Sequence, residues 1–232
     1  MLAIIRVKVR LKETTSRGVV SLQTANMDRV WRRVVREHKK WSGKKARVAY
    51  LTHRSLQEDV SVILDAKDMD AVADFAIKRL ASLKEAAGIR TIALMLPRFF
   101  RVPKGRTSQM KRYTTSIKVD PSELKNVYEY LSGFIPSKEV APVYLACALN
   151  GYGRDLMFSF LCPGETTAKK FVSSYIIPCK GILDTHTTLI SHSKRLMEKD
   201  DWLAIIKKYS YKKGVTEIED IEVYEEDWFG AC

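Results

Sequence analysis

Between Asp28 and Arg47 the chain carries nine cationic side chains: Arg29, Arg32, Arg33, Arg36, Lys39, Lys40, Lys44, Lys45 and Arg47. Glu37 is nearly alone among them. Arg29, Arg32 or Arg33, Arg36 and Lys40 recur every three to four residues, so on a helix they form one stripe. Guanidinium and ammonium groups in such a row can track the phosphates of a polyanion. Like charges at i, i+4 weaken a helix, so an uncompensated stripe suggests an anionic partner, with DNA or RNA as one candidate. A solvated helix face is the plain alternative. The net charge of +13 is also local: residues 1–54 hold 15 Lys/Arg against 3 acids, whereas residues 108–232 hold 16 against 17. The acid-rich stretch Glu217–Asp227, seven acids in eleven residues, is a second candidate partner for the stripe.

A different chemistry is offered by Gly151-Tyr152-Gly153-Arg154-Asp155. Backbone amides at a glycine turn can hold a carboxylate, and an aspartate beside it can accept from an ammonium. The same residues also serve simply to turn a hairpin. Catalytic signals are sparse. His38, His53, His186 and His192 have no metal-ligand spacing, and no G-x-S-x-G, phosphate loop or dinucleotide fingerprint is present. His53 with Asp59, or His186 with Asp184, are the acid–base pairs that a small enzyme would use. Cys147, Cys162, Cys179 and Cys232 form no C-x-x-C pair, so they read as free thiols. We therefore expect no catalytic residues, no metal and no cofactor.

The elements that must position these groups follow from hydrophobic periodicity. Leu2–Lys12 alternates as a strand. Asn26–Lys40 reads as a helix, with Met27, Val30, Trp31, Val34, Val35 and His38 on its apolar face and the arginines opposite. Arg47–Arg54 and Asp59–Ala66 read as a hairpin. Asp68 caps a helix expected to run from Met69 to Ala87 and to stop at Gly88. Ile89–Phe100 is a fourth strand, and Pro103–Lys111 reads as a linker. The order then repeats: strand Arg112–Val119, a helix opened by Asp120-Pro121-Ser122-Glu123, strands Val140–Leu149 and Asp155–Leu161, helix Glu165–Ile177, strand Ile182–Ile190. A last helix covers Asp200–Tyr209. The two halves share landmarks at similar spacing: Asp59 and Asp155 lie 96 apart, Gly88 and Gly181 lie 93 apart, and each glycine is followed by Ile. The expected fold is therefore α+β: two tandem ferredoxin-like βαββαβ units with dimeric α/β-barrel-like pairing within one chain, plus a C-terminal helix and tail. The expected domains are 1–107, 108–192 and 193–232. No apolar run reaches the roughly 18 residues of a membrane span, and Met1–Leu11 reads as a strand, so a cytoplasmic protein is expected.

The second half resembles the ligand-binding domain of Lrp/AsnC-type transcription regulators. The carrying residues are Tyr144–Leu149, Gly151 through Met157, Gly181-Ile182, Thr185 and Thr187. Two extra residues, Gly153 and Arg154, depart from that family's turn, and the family's helix-turn-helix is missing. The resemblance implies a non-catalytic regulatory module that binds an effector of the amino-acid class, near Gly151, Tyr152, Asp155, Thr185 and Thr187, and that assembles as a homo-oligomer. A nucleic-acid-binding protein using helix 26–47 and a small α/β-barrel enzyme are the competing readings.

Overall fold

A computed structural model of the chain describes residues 1–15, 18–21, 23–54, 59–100, 109–137, 139–149 and 154–209. The expected linker 103–111 lies mostly, and the acid-rich tail 217–227 entirely, outside them. The strands are β1 (Leu2–Val9), β2 (Lys12–Thr15), β3 (Gly18–Ser21), β4 (Ala46–Arg54), β5 (Asp59–Ala66), β6 (Ala86–Phe99), β7 (Lys111–Val119), β8 (Ala141–Leu149), β9 (Leu156–Cys162) and β10 (Ile182–Arg195). The α-helices are α1 (Gln23–Trp41), α2 (Met69–Phe75), α3 (Leu124–Ser132), α4 (Glu165–Phe171) and α5 (Lys199–Tyr209). None among the described residues is long and apolar enough to cross a membrane.

The expectation of two tandem ferredoxin-like units is corrected. Hydrogen bonds join eight strands into one closed barrel in the order β1-β5-β4-β10-β7-β9-β8-β6, and β2 pairs only with β3. Strand length is the physical reason. β6 and β10 each run for 14 residues, longer than the pattern predicts, and each is divided between the two compact units of the chain. One unit is Met1–Ala93 with Ser191–Glu198, the other Leu94–Ile190 with the remainder. A closed ring leaves no strand edge unpaired.

Within the first unit, β5 lies between β1 and β4, antiparallel to both, with Ile5 opposite Val62 and Leu51 opposite Val62. Ala3, Ile5, Val7, Val60, Val62 and Leu64 point to the helices and pack with Met27, Val30 and Val34 of α1 and with Val72, Phe75 and Leu80. The second unit builds its core in the same way around Ile117, Phe158, Phe160, Val127, Leu131 and Phe171. All of β9 is buried, and Leu161 packs on its other face with Ala141 and Val143. Burial on both faces explains its nearly continuous apolar sequence.

The second helix of each half differs from expectation in the same way. Asp68 caps α2 through the Ala71 N–H at 2.8 Å, but the helix turns π-helical at Ala76–Leu80, where the Ala81 N–H donates to the Ala76 carbonyl. Helix α4 passes into a π-helical turn at Val172–Ile176, closed by Ile177 onto Val172. Gly88 does not end a helix; it lies inside β6. Gly181 is the position where glycine is required. Its φ is +92°, and a Cβ there would meet the Glu123 side chain; its carbonyl accepts from the Asp120 N–H at 2.7 Å. Gly181→Ala is expected to destabilise the protein by at least about 1 kcal/mol, read as a lower midpoint in chemical denaturation, whereas Gly88→Ala, which meets no atom within 4 Å, is expected to move it little.

Candidate functional site: an arginine-lined pocket

Helix α1 is held on its sheet by Met27, Val30 and Val34, which are at most 2% exposed. That docking turns Arg29, Arg32, Arg33 and Arg36 toward the chain that follows α2. Together with Lys78, Arg79, Ser82, Leu83, Lys84, Glu85 and Trp41 they line a cavity of about 670 Å³. The volume lies within the range of small-molecule sites, about 300–1,000 Å³. Seven cations face one carboxylate, Glu85. Several are positioned by neighbours. Buried Asn26 donates from Nδ2 to the Arg10 carbonyl at 2.8 Å, and its Oδ1 accepts from Arg29 at 3.4 Å. Arg36 Nε donates to Glu37 at 3.0 Å, with Arg33 at 4.0 Å and Lys40 at 3.9 Å from the same carboxylate. The hydrogen bond from Arg36, and then the charges of Lys40, Arg36 and Arg33, hold the Glu37 carboxyl below the usual range. Lys78 pairs with Asp74. Among the described residues Arg32, Arg79 and Lys84 have no carboxylate partner.

The expected cationic set is thus divided. Arg29, Arg32, Arg33 and Arg36 line the large cavity. Lys44 and Lys45 line an adjoining one of about 220 Å³ with Trp41, Gly43, Ala46, Ala71, Asp74, Phe75 and Arg79. Lys39 and Lys40 line neither, and Arg47 pairs with Asp65 at 3.1 Å. Lys78, Arg79 and Lys84 were missed by sequence reasoning. The signal was weak, because Asp70 and Asp74 precede them and Glu85 follows, so the stretch 70–85 is balanced at three cations against three acids.

The second unit supplies an internal comparison. At the 96-residue offset, Lys78 and Arg79 correspond to Ser174 and Tyr175. There, Tyr175 stacks on Tyr130 of α3 with centroids 4.9 Å apart, and Phe134 packs edge-on to Tyr175 at 4.7 Å. Burial, with Tyr130 adding to it, pushes the Tyr175 hydroxyl up to about 12. Where the second unit brings aromatic rings together, the first unit brings cations together.

The residues expected at an effector site behave differently. Gly151 and Tyr152 lie outside the described residues. Asp155 is spent on the fold: its Oδ2 accepts the Val119 N–H at 2.8 Å. Thr187 shares a hydrogen bond with Thr115 at 2.9 Å, and Thr185 sits opposite Ile117 in the β10–β7 ladder. The pair His53 and Asp59 does not form either, because buried Asp59 holds the buried Arg54 guanidinium through both carboxylate oxygens. Asp184 pairs with Arg154 at 2.6 Å. Among the described residues no group of three or more His, Cys, Asp or Glu could hold a metal.

His53 instead joins His192, with ring centroids 5.4 Å apart, and Trp31 packs edge-on to both at 6.5 Å. Its Nδ1 lies 2.7 Å from the Ser191 hydroxyl, which donates to the His53 carbonyl at 3.2 Å. Burial lowers the His53 pKa, His192 lowers it further, and Asp28 and Asp59 oppose the shift.

No family model matches the chain, and no curated protein matches it. Solved structures do. A siroheme decarboxylase, NirDL, is similar at a TM-score of 0.52 and 9% identity, over 90% of this chain and 79% of that one. An anthrone oxidase-like protein is similar at a TM-score of 0.51 and 6% identity, over 85% and 94%. A chlorite dismutase variant from Candidatus Nitrospira defluvii gives 0.44 and 12% identity, over 90% and 94%. At these identities the two likenesses above a TM-score of 0.5 show the fold alone. They overturn the Lrp/AsnC resemblance, and with it the readings of a regulatory module, of transcription regulation and of DNA binding: the fold shared above a TM-score of 0.5 is that of proteins named for enzymes.

A lowered His53 pKa means that the unfolded chain binds the proton more readily. Stability is therefore full above the unfolded value, about 6.5, and is lost as pH falls below it toward the folded one. The melting temperature is expected to drop between about pH 7.5 and 5, and to drop less in His53→Gln; equal pH slopes in the two proteins would contradict this account.

Proposed function

We propose that the protein binds a compact, multiply charged anion, a phosphorylated or polycarboxylate small molecule, in the arginine pocket of its first unit. The observation that carries this reading is the convergence of seven cations from α1 and from the segment after α2 on a cavity of about 670 Å³. A guanidinium presents a planar fork of donors that matches the oxygens of phosphates and carboxylates, and pairs of this kind are about twice as strong as neutral hydrogen bonds. The cavity walls lower the local dielectric, so each charge acts more strongly there than on a flat face. A concave site of this size suits a ligand that fits inside it.

An iron tetrapyrrole, the substrate class in the name of the decarboxylase neighbour, does not fit this pocket as a metal-bound group. The lining contains no His, Cys, Met or Tyr to serve as an axial ligand. Ser82 and Glu85 are the lining's hydroxyl and its carboxylate, and the seven cations supply its charge. The barrel therefore supplies electrostatic capture first, and any chemistry depends on what is captured.

Inorganic tripolyphosphate is the test ligand, titrated calorimetrically into the full chain. One-site binding is expected, and Arg32→Glu or Arg79→Glu is expected to weaken it at least tenfold, about 1.4 kcal/mol. Lys39→Glu, which lies on α1 but outside the lining, is expected to change affinity only a few-fold through the long-range field. Equal losses in all three variants would point to a diffuse positive surface and end the pocket reading.

A further inference from the structure

A second, smaller cavity adjoins the arginine pocket, and Trp41 and Arg79 line both. At about 220 Å³ the smaller cavity falls below the usual lower bound of about 300 Å³ for a complete ligand site. It is better understood as the compartment for one part of a ligand whose charged part lies next door. Its chemistry also differs. Trp41 and Phe75 form an apolar wall, with ring centroids 6.1 Å apart and planes at 78°. Ala71 and Ala46 add apolar surface, Lys44 and Lys45 supply donors, and Asp74 supplies an acceptor. The Lys78–Asp74 ion pair joins a residue of the large lining to one of the small lining.

The geometry points to a nucleoside polyphosphate as the ligand, with its phosphates among the arginines and its purine ring on Trp41. This rests on the anion pocket proposed above and names the ligand of that same site. Each part of the molecule meets matching chemistry. The phosphate chain is the most highly charged portion and belongs with seven cations. A purine is flat and apolar on its faces, and an indole in contact with it gains stacking beyond simple burial. Purine ring nitrogens accept from ammonium groups, here Lys44 and Lys45. An exocyclic amine donates to a carboxylate, here Asp74. A polycarboxylate or a bare polyphosphate would use the arginines and make no use of the Trp41 face or of the smaller cavity. The second unit again serves as a control: Phe171 is the residue equivalent to Phe75, and it packs against Tyr175, with centroids 5.4 Å apart, within an aromatic cluster.

The experiment compares ATP, inorganic tripolyphosphate and adenosine by calorimetry on the full chain without added metal. ATP is expected to bind at least tenfold more tightly than tripolyphosphate and to quench indole fluorescence, with adenosine alone binding weakly. The ratio of the two affinities is expected to fall toward one in Trp41→Leu. In Asp74→Ala, an exposed position chosen because it leaves the core untouched, the ratio is expected to fall at least threefold. Equal affinities for ATP and tripolyphosphate in the unaltered chain would overturn the nucleotide assignment while leaving the anion pocket standing. A ratio unchanged in Asp74→Ala and in folded Trp41→Leu would overturn it as well. Failure of both ligands to bind would remove the pocket reading and this inference together.

Discussion

The docking of one helix governs the first unit. Met27, Val30 and Val34 are buried to 2% exposure or less, and each contributes about 1.5–3 kcal/mol through removal from water. Against this stand the like-charge pairs on the opposite face: Arg29 with Arg33, Arg32 with Arg36, Arg36 with Lys40. Each costs only a few tenths of a kcal/mol on an exposed helix. Apolar anchoring wins by a wide margin, so the helix can tolerate a face that no isolated peptide would favour. Glu37 relieves part of the strain by facing Arg33, Arg36 and Lys40 at once. It does nothing for Arg32, which keeps its charge directed at the pocket.

The second helix of each half adds the other wall by a shared device. Both α2 and α4 widen into a π-helical turn at positions 96 residues apart, Ala76 and Val172. Such turns inside α-helices often mark functional positions, and here the duplicated backbone carries opposite contents. In the first unit the turn presents Lys78 and Arg79 to the pocket. In the second it presents Tyr175 to Tyr130. The architecture is common to both halves; the chemistry belongs to the side chains placed on it.

This division explains what could be read from the amino-acid order. The arginine stripe was legible because one helix carries it at a regular period, and the apolar stripe opposite fixes the facing. Lys78, Arg79 and Lys84 were not, because Asp70, Asp74 and Glu85 flank them in sequence and cancel their charge over the stretch, while only the fold brings them opposite the α1 arginines. The length of β6 and β10 was underestimated because the apolar pattern of each strand dissolves toward one end: β6 begins with exposed Ala87 and Gly88, and β10 ends with Ser191 through Arg195. Closure of the ring depends on those ends, so it was invisible to periodicity. Asp155 misled for a related reason. An aspartate beside a glycine turn can meet a ligand or a backbone amide, and only the register of β7 against β9 brings the Val119 N–H within reach.

The two halves also bear on whether the arginine pocket has a task beyond folding. The second unit shows that this arrangement of helices can satisfy itself without a ligand: Tyr130, Tyr175, Phe134 and Phe171 pack on one another and gain from doing so. At the 96-residue offset Arg79 stands where the second unit has Tyr175, so at that position a stacking gain is exchanged for a charge that faces other cations across the pocket. Solubility does not require that exchange, because charges of mixed sign serve that purpose without repulsion. The proposed anion would supply the compensation that the protein's own side chains do not. On that proposal, relief of repulsion among the cations would add to the attraction that each one contributes to the ligand.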